Sequence, residues 1–171
     1  MAIFEYKISR KNEWSNFKSI LTYVFVFVFL TPLMFHFRFP EESIVDVIPI
    51  SMIGFLIFLI PVVILHLKYF SINENLVLIY DDFNRSITIV SKKENTKSNF
   101  SLDDIKSVFH YMTGPFGEKR MHWWPWDSYN YSIIYLKDNR KFTITSLMNE
   151  RLELPIGDKY NVITKFYPYP N

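Results

Sequence analysis

The 171-residue sequence contains no cysteine, which excludes disulfides, thiolate metal sites and cysteine nucleophiles but does not fix the compartment. Glycine occurs only 4 times. Gly114-Pro-Phe-Gly117 reads as a turn, since no G-K-[ST] follows to make it a phosphate cradle, and no serine sits in a G-x-S-x-G elbow. Neither sign of charge dominates: 19 Lys and Arg against 17 Asp and Glu leave a net +2, too little to suggest nucleic-acid binding. Internal repeats and low-complexity segments are missing too. Most telling, charge is absent from two long stretches.

The first, residues 19–37 between Lys18 and Arg38, has 19 residues, about 28 Å as a helix. The second, residues 47–67 between Asp46 and Lys68, has 21 residues, about 32 Å as a helix. Both lengths match a bilayer's hydrocarbon core. They account for a composition that is 49% hydrophobic and 19% aromatic, with 17 Phe, more than an ordinary soluble domain needs. The run YVFVFVF has high β propensity. In lipid, however, every amide must bond within its own segment, which imposes a helix and tolerates Pro32, Pro49 and Pro61 as bends. The basic residues Lys7, Arg10, Lys11 and Lys18 suit a signal peptide, but no A-x-A site follows the exit PLMFHFRFPEES, so an uncleaved anchor is expected.

Basic residues set the expected orientation. The N-terminal tail has four, whereas the connecting loop has Arg38 beside Glu41, Glu42 and Asp46, and Lys68, Arg85, Lys92, Lys93 and Lys97 follow the second stretch. Both termini are therefore expected in the cytoplasm of a multi-pass protein of the cell's inner membrane. Trp14, Tyr69 and Phe70 are the expected interfacial anchors. His36 and His66 fall at opposite ends of the hairpin and cannot share a metal. Neither stretch holds an Asp, Glu, Lys or Arg inside, where an ion or proton path usually needs one, so the hairpin reads as an anchor. The division is a cytoplasmic tail (1–18), a transmembrane hairpin (19–70) and a cytoplasmic domain (71–171).

From residue 71 the chain reads as short strands. LVLIY (76–80) and SITIV (86–90) flank the turn DDFNR, and a short strand fits Ser98 to Ser101. Ser101-Leu-Asp-Asp104 has the form of a capping box. Ile105, Val108 and Phe109 then fit a helix, while VFHYM is equally good strand material; the reading leans to a turn followed by a strand. YSIIYL (131–136) and KFTIT (141–145), joined by KDNR, make the clearest hairpin. A strand over Leu152 to Ile156 and a short helix in DKYNVITKFY are expected after it. The fold class is thus α+β: a two-helix transmembrane hairpin followed by a small antiparallel β-sandwich or partly open barrel.

On LVLIYDDFNRSITIV, SLDDIKSV and YSIIYLKDNRKFTIT, together with the two apolar stretches, the chain resembles the bacterial pleckstrin-homology-like (PH-like) membrane proteins over roughly residues 19–145. The resemblance implies a PH-like domain of two roughly orthogonal sheets behind the hairpin. It also implies a closing C-terminal helix, for which at most about ten residues are present. Phosphoinositide-binding members carry Lys and Arg around the first strand turn; here stand Asp81, Asp82 and only Arg85, so inositol-lipid recognition is not implied.

The most unusual soluble segment is the loop Gly114 to Tyr131. It holds Trp123, Trp124 and Trp126, with Phe116, Tyr129, Lys119 and Arg120. Two readings stand: these residues touch the membrane or a membrane-bound partner, or the aromatics fold back and cap the domain core. His110, His122 and Asp127 match no standard metal-ligand spacing, so no metal or other cofactor is expected, and an enzyme is not expected either. The leading expectation is a non-enzymatic, membrane-anchored binding or scaffold module whose partners are the lipid bilayer and a protein or a second copy of itself. The alternative is an immunity or defence accessory protein that neutralises a membrane-directed toxin or serves as a membrane subunit of a larger complex.

Overall fold

The computed structural model describes residues 3–170. Strand β1 (Ile3–Tyr6) opens the chain, and two long helices follow, Arg10–Arg38 and Ile44–Asn73. Both are long and apolar enough to cross a membrane. After them come β2 (Leu76–Asp81), β3 (Ser86–Ser91), β4 (Thr96–Ser101), β5 (Ile105–Met112), β6 (Tyr131–Leu136), β7 (Lys141–Thr145) and β8 (Tyr160–Thr164). The strands form two four-stranded sheets, ordered β1-β2-β3-β4 and β7-β6-β5-β8. The first is antiparallel throughout, whereas β8 joins the second parallel to β5. No barrel closes.

The segment expected as a tail therefore contributes a strand. β1 lies beside β2, Phe4 opposite Tyr80 and Tyr6 opposite Leu78, with the Phe4 and Tyr80 rings 6.2 Å apart. The whole helical hairpin is thus inserted between two neighbouring strands of one sheet. A chain that leaves the sheet at Tyr6 and returns at Leu76 beside it must bring the hairpin back to the side from which it left.

Sequence explains most of the rest. Alternation in β2 and β3 sends Leu78, Tyr80, Ile87 and Ile89 inward. Ser101 and Asp104 form the reciprocal capping box, turning the chain from one sheet into the other. VFHYM belongs to a strand, with Val108, His110 and Met112 facing inward. Phe100 and Phe142 stack across the two sheets at 5.6 Å.

Two expectations fail. Residues 152–156 are not a strand, although Leu152 and Leu154 are buried in the core; Pro155 has no N–H for a ladder. The expected helix in DKYNVITKFY is instead a short 3₁₀ turn (Gly157–Lys159) and β8, because Tyr, Val, Ile and Thr suit a strand that finds an open edge of β5. No closing C-terminal helix occurs among the described residues. The last turn of the second long helix instead lies against edge strand β7. The Asn73 side-chain amide donates to the Thr143 carbonyl at 2.8 Å and accepts from the Thr145 N–H at 2.7 Å, taking the place of a neighbouring strand.

The hairpin has its own joints. Pro32 lacks an N–H, and residues Phe25–Leu30 widen into a π-helical segment in which the Thr31 N–H reaches Val26 O. Gly54 lets the helices meet: a Cβ there would lie 2.8 Å from the Phe27 ring. The Ser51 hydroxyl donates to the Phe27 carbonyl beside it.

Candidate functional site

The second sheet is covered on both faces. One face packs on the first sheet; the other carries Tyr111, Tyr131 and Ile133 against the roots of the two helices. Val62, Leu65, Tyr69 and Asn73 fall at three- and four-residue spacing and are buried on that side. No flexible linker separates helix from domain, only Glu74 and Asn75. The Trp-rich loop and the last residues of the chain fill this second core, and the two readings of the loop divide between its residues.

Trp126 and Tyr129 are buried, as is Tyr69, so these three aromatics meet protein rather than lipid or a partner. The Trp126 indole N–H donates to the Phe166 carbonyl at 2.9 Å, and Tyr129 Oη lies 3.0 Å from His66 Nδ1. Trp123 is exposed, and Trp124 lies at the surface between Phe58 of the second helix (5.9 Å) and Trp126 (5.3 Å). Trp14 and Phe70 are exposed on the helices. Phe116 lies in a single helical turn, Gly114–Gly117, capped by the Thr113 hydroxyl. Lys119 has a left-handed backbone (φ 53°), and exposed Arg120 pairs with Glu118 at 2.6 Å.

Asp127 shapes the loop. Its buried carboxylate accepts the N–H groups of both Trp123 and Trp124 at 2.8 Å, and its own N–H reaches the Trp124 carbonyl. The Tyr23 hydroxyl donates to the Trp123 carbonyl, and the Ser19 hydroxyl to the Pro125 carbonyl at 2.8 Å. The Ser128 hydroxyl reaches the Asn16 carbonyl at 3.0 Å. An open groove of about 570 Å³ runs between Tyr23, Phe27 and Phe58 on the helices and Met121, Trp123 and Trp124 on the loop.

The C-terminal run FYPYP was singled out by nothing in the sequence, yet it straps the site together. Besides the Trp126 bond, the Tyr167 hydroxyl donates to the Pro61 carbonyl at 2.6 Å and Tyr69 to the Pro168 carbonyl at 2.7 Å. Tyr131 reaches the Tyr169 carbonyl at 3.3 Å. Lys165 Nζ lies 4.6 Å from the Tyr111 ring centre and donates to the Tyr131 hydroxyl at 3.0 Å. Burial, with Tyr135 nearby, pushes Tyr131 up to about 12, and burial raises Tyr129 as well, so both phenols stay neutral. The density of aromatic residues was a signal of sorts; their hydroxyl partners are all distant in sequence.

His110 lies in the inter-sheet core, Nδ1 at 2.7 Å from the Ser132 hydroxyl, whereas His122 is in the exposed loop beside Phe116. Among the described residues no three His, Asp or Glu side chains converge as a metal site would require.

Comparison with known proteins adds one finding. A family model described as the PH domain matches residues 5–154, a span that begins in β1, includes the helical hairpin and runs past β7. No curated protein and no solved structure matches the chain.

Proposed function

The chain belongs to the PH-domain family, whose members are in general binding modules, and on that premise we propose that it is a non-enzymatic scaffold held in the cytoplasmic membrane by its helical hairpin. The observation that carries this reading is the state of the hairpin surface. Large apolar side chains along both helices, such as Phe37 and Ile50, point outward at 77% and 72% exposure. An apolar surface of that extent marks a contact with membrane or protein, and exposed apolar side chains recur from Phe25 to Phe39 and from Ile44 to Ile64 on the two legs.

The insertion of the hairpin between β1 and β2 supports a topology with both ends on one side, in agreement with the basic residues of the flanks. The β-domain then stands at the cytoplasmic face, with its first sheet turned away from the helices and free to receive a protein partner or a second copy. Removal of the first helix as a leader would also remove β1 and Asn16, whose side chain accepts from the Ser146 hydroxyl at 2.8 Å; an uncleaved anchor fits that packing. The exposed Trp123 and Trp124, with Lys119 and Arg120 nearby, form the membrane-proximal contact surface of the domain.

The natural absence of cysteine makes the test direct. Single cysteines replacing Ser43 at the hairpin tip and Phe83 in the β2–β3 turn are labelled in whole cells with a membrane-impermeant maleimide. Ser43→Cys should react in intact cells and Phe83→Cys only after lysis. Reaction of Phe83→Cys in intact cells, or of Ser43→Cys only after lysis, contradicts the topology.

A further inference from the structure

Resting on the membrane reading, the geometry points to a β-domain that does not merely stand on the bilayer: we propose that its Met121–Pro125 turn and the Phe166–Tyr169 strap are sunk into the cytoplasmic leaflet as an aromatic wedge among the lipids. The argument begins with length. On the second helix the domain packs from Asn73 down to Phe58, where Trp124 stacks. Only residues 47–57 of that charge-free stretch project beyond it, about 16 Å of helix. On the first helix the domain reaches Tyr23, whose hydroxyl meets the Trp123 carbonyl, leaving residues 24–37, about 21 Å. A hydrocarbon core is about 30 Å thick.

The tip cannot make up the difference by stopping midway. Arg38, Glu41, Glu42 and Asp46 bracket it, and four charges at the bilayer centre are prohibitively costly. The tip therefore sits at the far interface. Counted back from there, the hydrocarbon ends near Lys68, about two to three turns beyond the level of Pro61 and Phe58. Whatever packs at that level shares its depth.

The chemistry of that surface fits lipid. Trp123, Met121 and Phe166 are 70%, 69% and 65% exposed, beside the apolar helices. Irregular backbone survives at membrane depth only where its polar groups are satisfied within the protein, and here side chains supply partners for five carbonyls and two amides. Tyr23 and Ser19 cover the carbonyls of Trp123 and Pro125, Trp126 that of Phe166, Tyr69 and Tyr131 those of Pro168 and Tyr169. The carboxylate of Asp127 takes the two Trp amides, while Pro125, Pro168 and Pro170 have no amide to satisfy. Lys119 and Arg120 then lie at headgroup level, long enough to reach phosphate.

The test is the depth of nitroxides on single cysteines in the full chain, reconstituted in vesicles of phosphatidylethanolamine and phosphatidylglycerol. Ile53→Cys reports the hairpin, Trp123→Cys and Phe166→Cys the wedge, and Phe83→Cys the far end of the domain. Oxygen accessibility should exceed that of a water-soluble nickel chelate at 53, 123 and 166, with the ratio reversed at 83. Lipid-like behaviour at 53 with values at 123 and 166 matching 83 overturns the wedge and leaves the anchor standing. Water-like behaviour at 53 overturns both. The unmodified chain gives a check that no substitution can disturb: its tryptophan fluorescence should be strongly quenched by lipids brominated along the acyl chain, and an unquenched signal contradicts the wedge.

Discussion

His110 is fully buried, bonded through Nδ1 to Ser132, with no partner for Nε2 among the described residues. Burial, and secondarily the positive charge of Arg151, lowers its pKa to about 4. An unfolded histidine ionises near 6.5, so between those values the unfolded chain binds the extra proton. Stability from this group is whole above about pH 6.5 and falls as pH drops toward 4, by about 3 kcal/mol in all. Unfolding measured across that window should show the loss, and His110→Asn should flatten it. Asp127 poses a different problem, two turn amides that share one buried carboxylate. Asp127→Ala strands both and should cost about 3 kcal/mol, with tryptophan emission shifted to the red; Asp127→Asn keeps a carbonyl acceptor and should cost less. An unchanged emission maximum in the alanine variant would count against this role. In the sequence Asp127 attracted notice as a possible metal ligand; that it braces a turn depends on where amides three and four residues back point, which spacing alone does not reveal.

At the scale of elements, local patterns were readable and distant partners were not. The strands 131–136 and 141–145 stand where alternation and the KDNR turn put them, and the capping box at Ser101 signalled its turn because all of its partners lie within four residues. β1 reads in the sequence as part of a tail and β8 as a short helix. Each is an edge strand of at most five residues whose ladder partner is far along the chain, Ile3 with Asp81 and Tyr160 with Val108, and pairing over such distances leaves no local periodicity. Of the loop, only its aromatic richness was legible. Which Trp is buried depends on the strap, whose Tyr hydroxyls bond to carbonyls contributed by the helices and the tail. β1 gives an element-scale prediction. Deleting residues 1–8 removes a four-residue ladder and the Phe4–Tyr80 stack, which should destabilise the β-domain by about 1–2 kcal/mol without releasing the hairpin from membranes; denaturant titration and fractionation read the two effects separately. Gly54 gives another. Gly54→Leu must displace a Phe27 ring packed between Tyr23 and Phe58, and should cost about 1–3 kcal/mol of helix pairing. Cysteine crosslinking between the two legs should fall accordingly.

For the whole molecule, the order of elements matters more than any single contact. The helices are not a stalk with a domain behind it: they leave one sheet strand, return to its neighbour, and are built into the outer face of the second sheet. Helical hairpin and β-domain are therefore one body, and on the proposed reading a partner on the first sheet would be held at a fixed height and orientation above the lipid. That arrangement has meaning only if the charge-free legs lie in a bilayer. The most direct measurement is an alkaline carbonate wash of membranes from cells making the full chain, followed by hard centrifugation without detergent. The account predicts that the protein stays in the pellet with integral membrane proteins and leaves it only when detergent is added. Recovery of folded protein in the carbonate supernatant would contradict it.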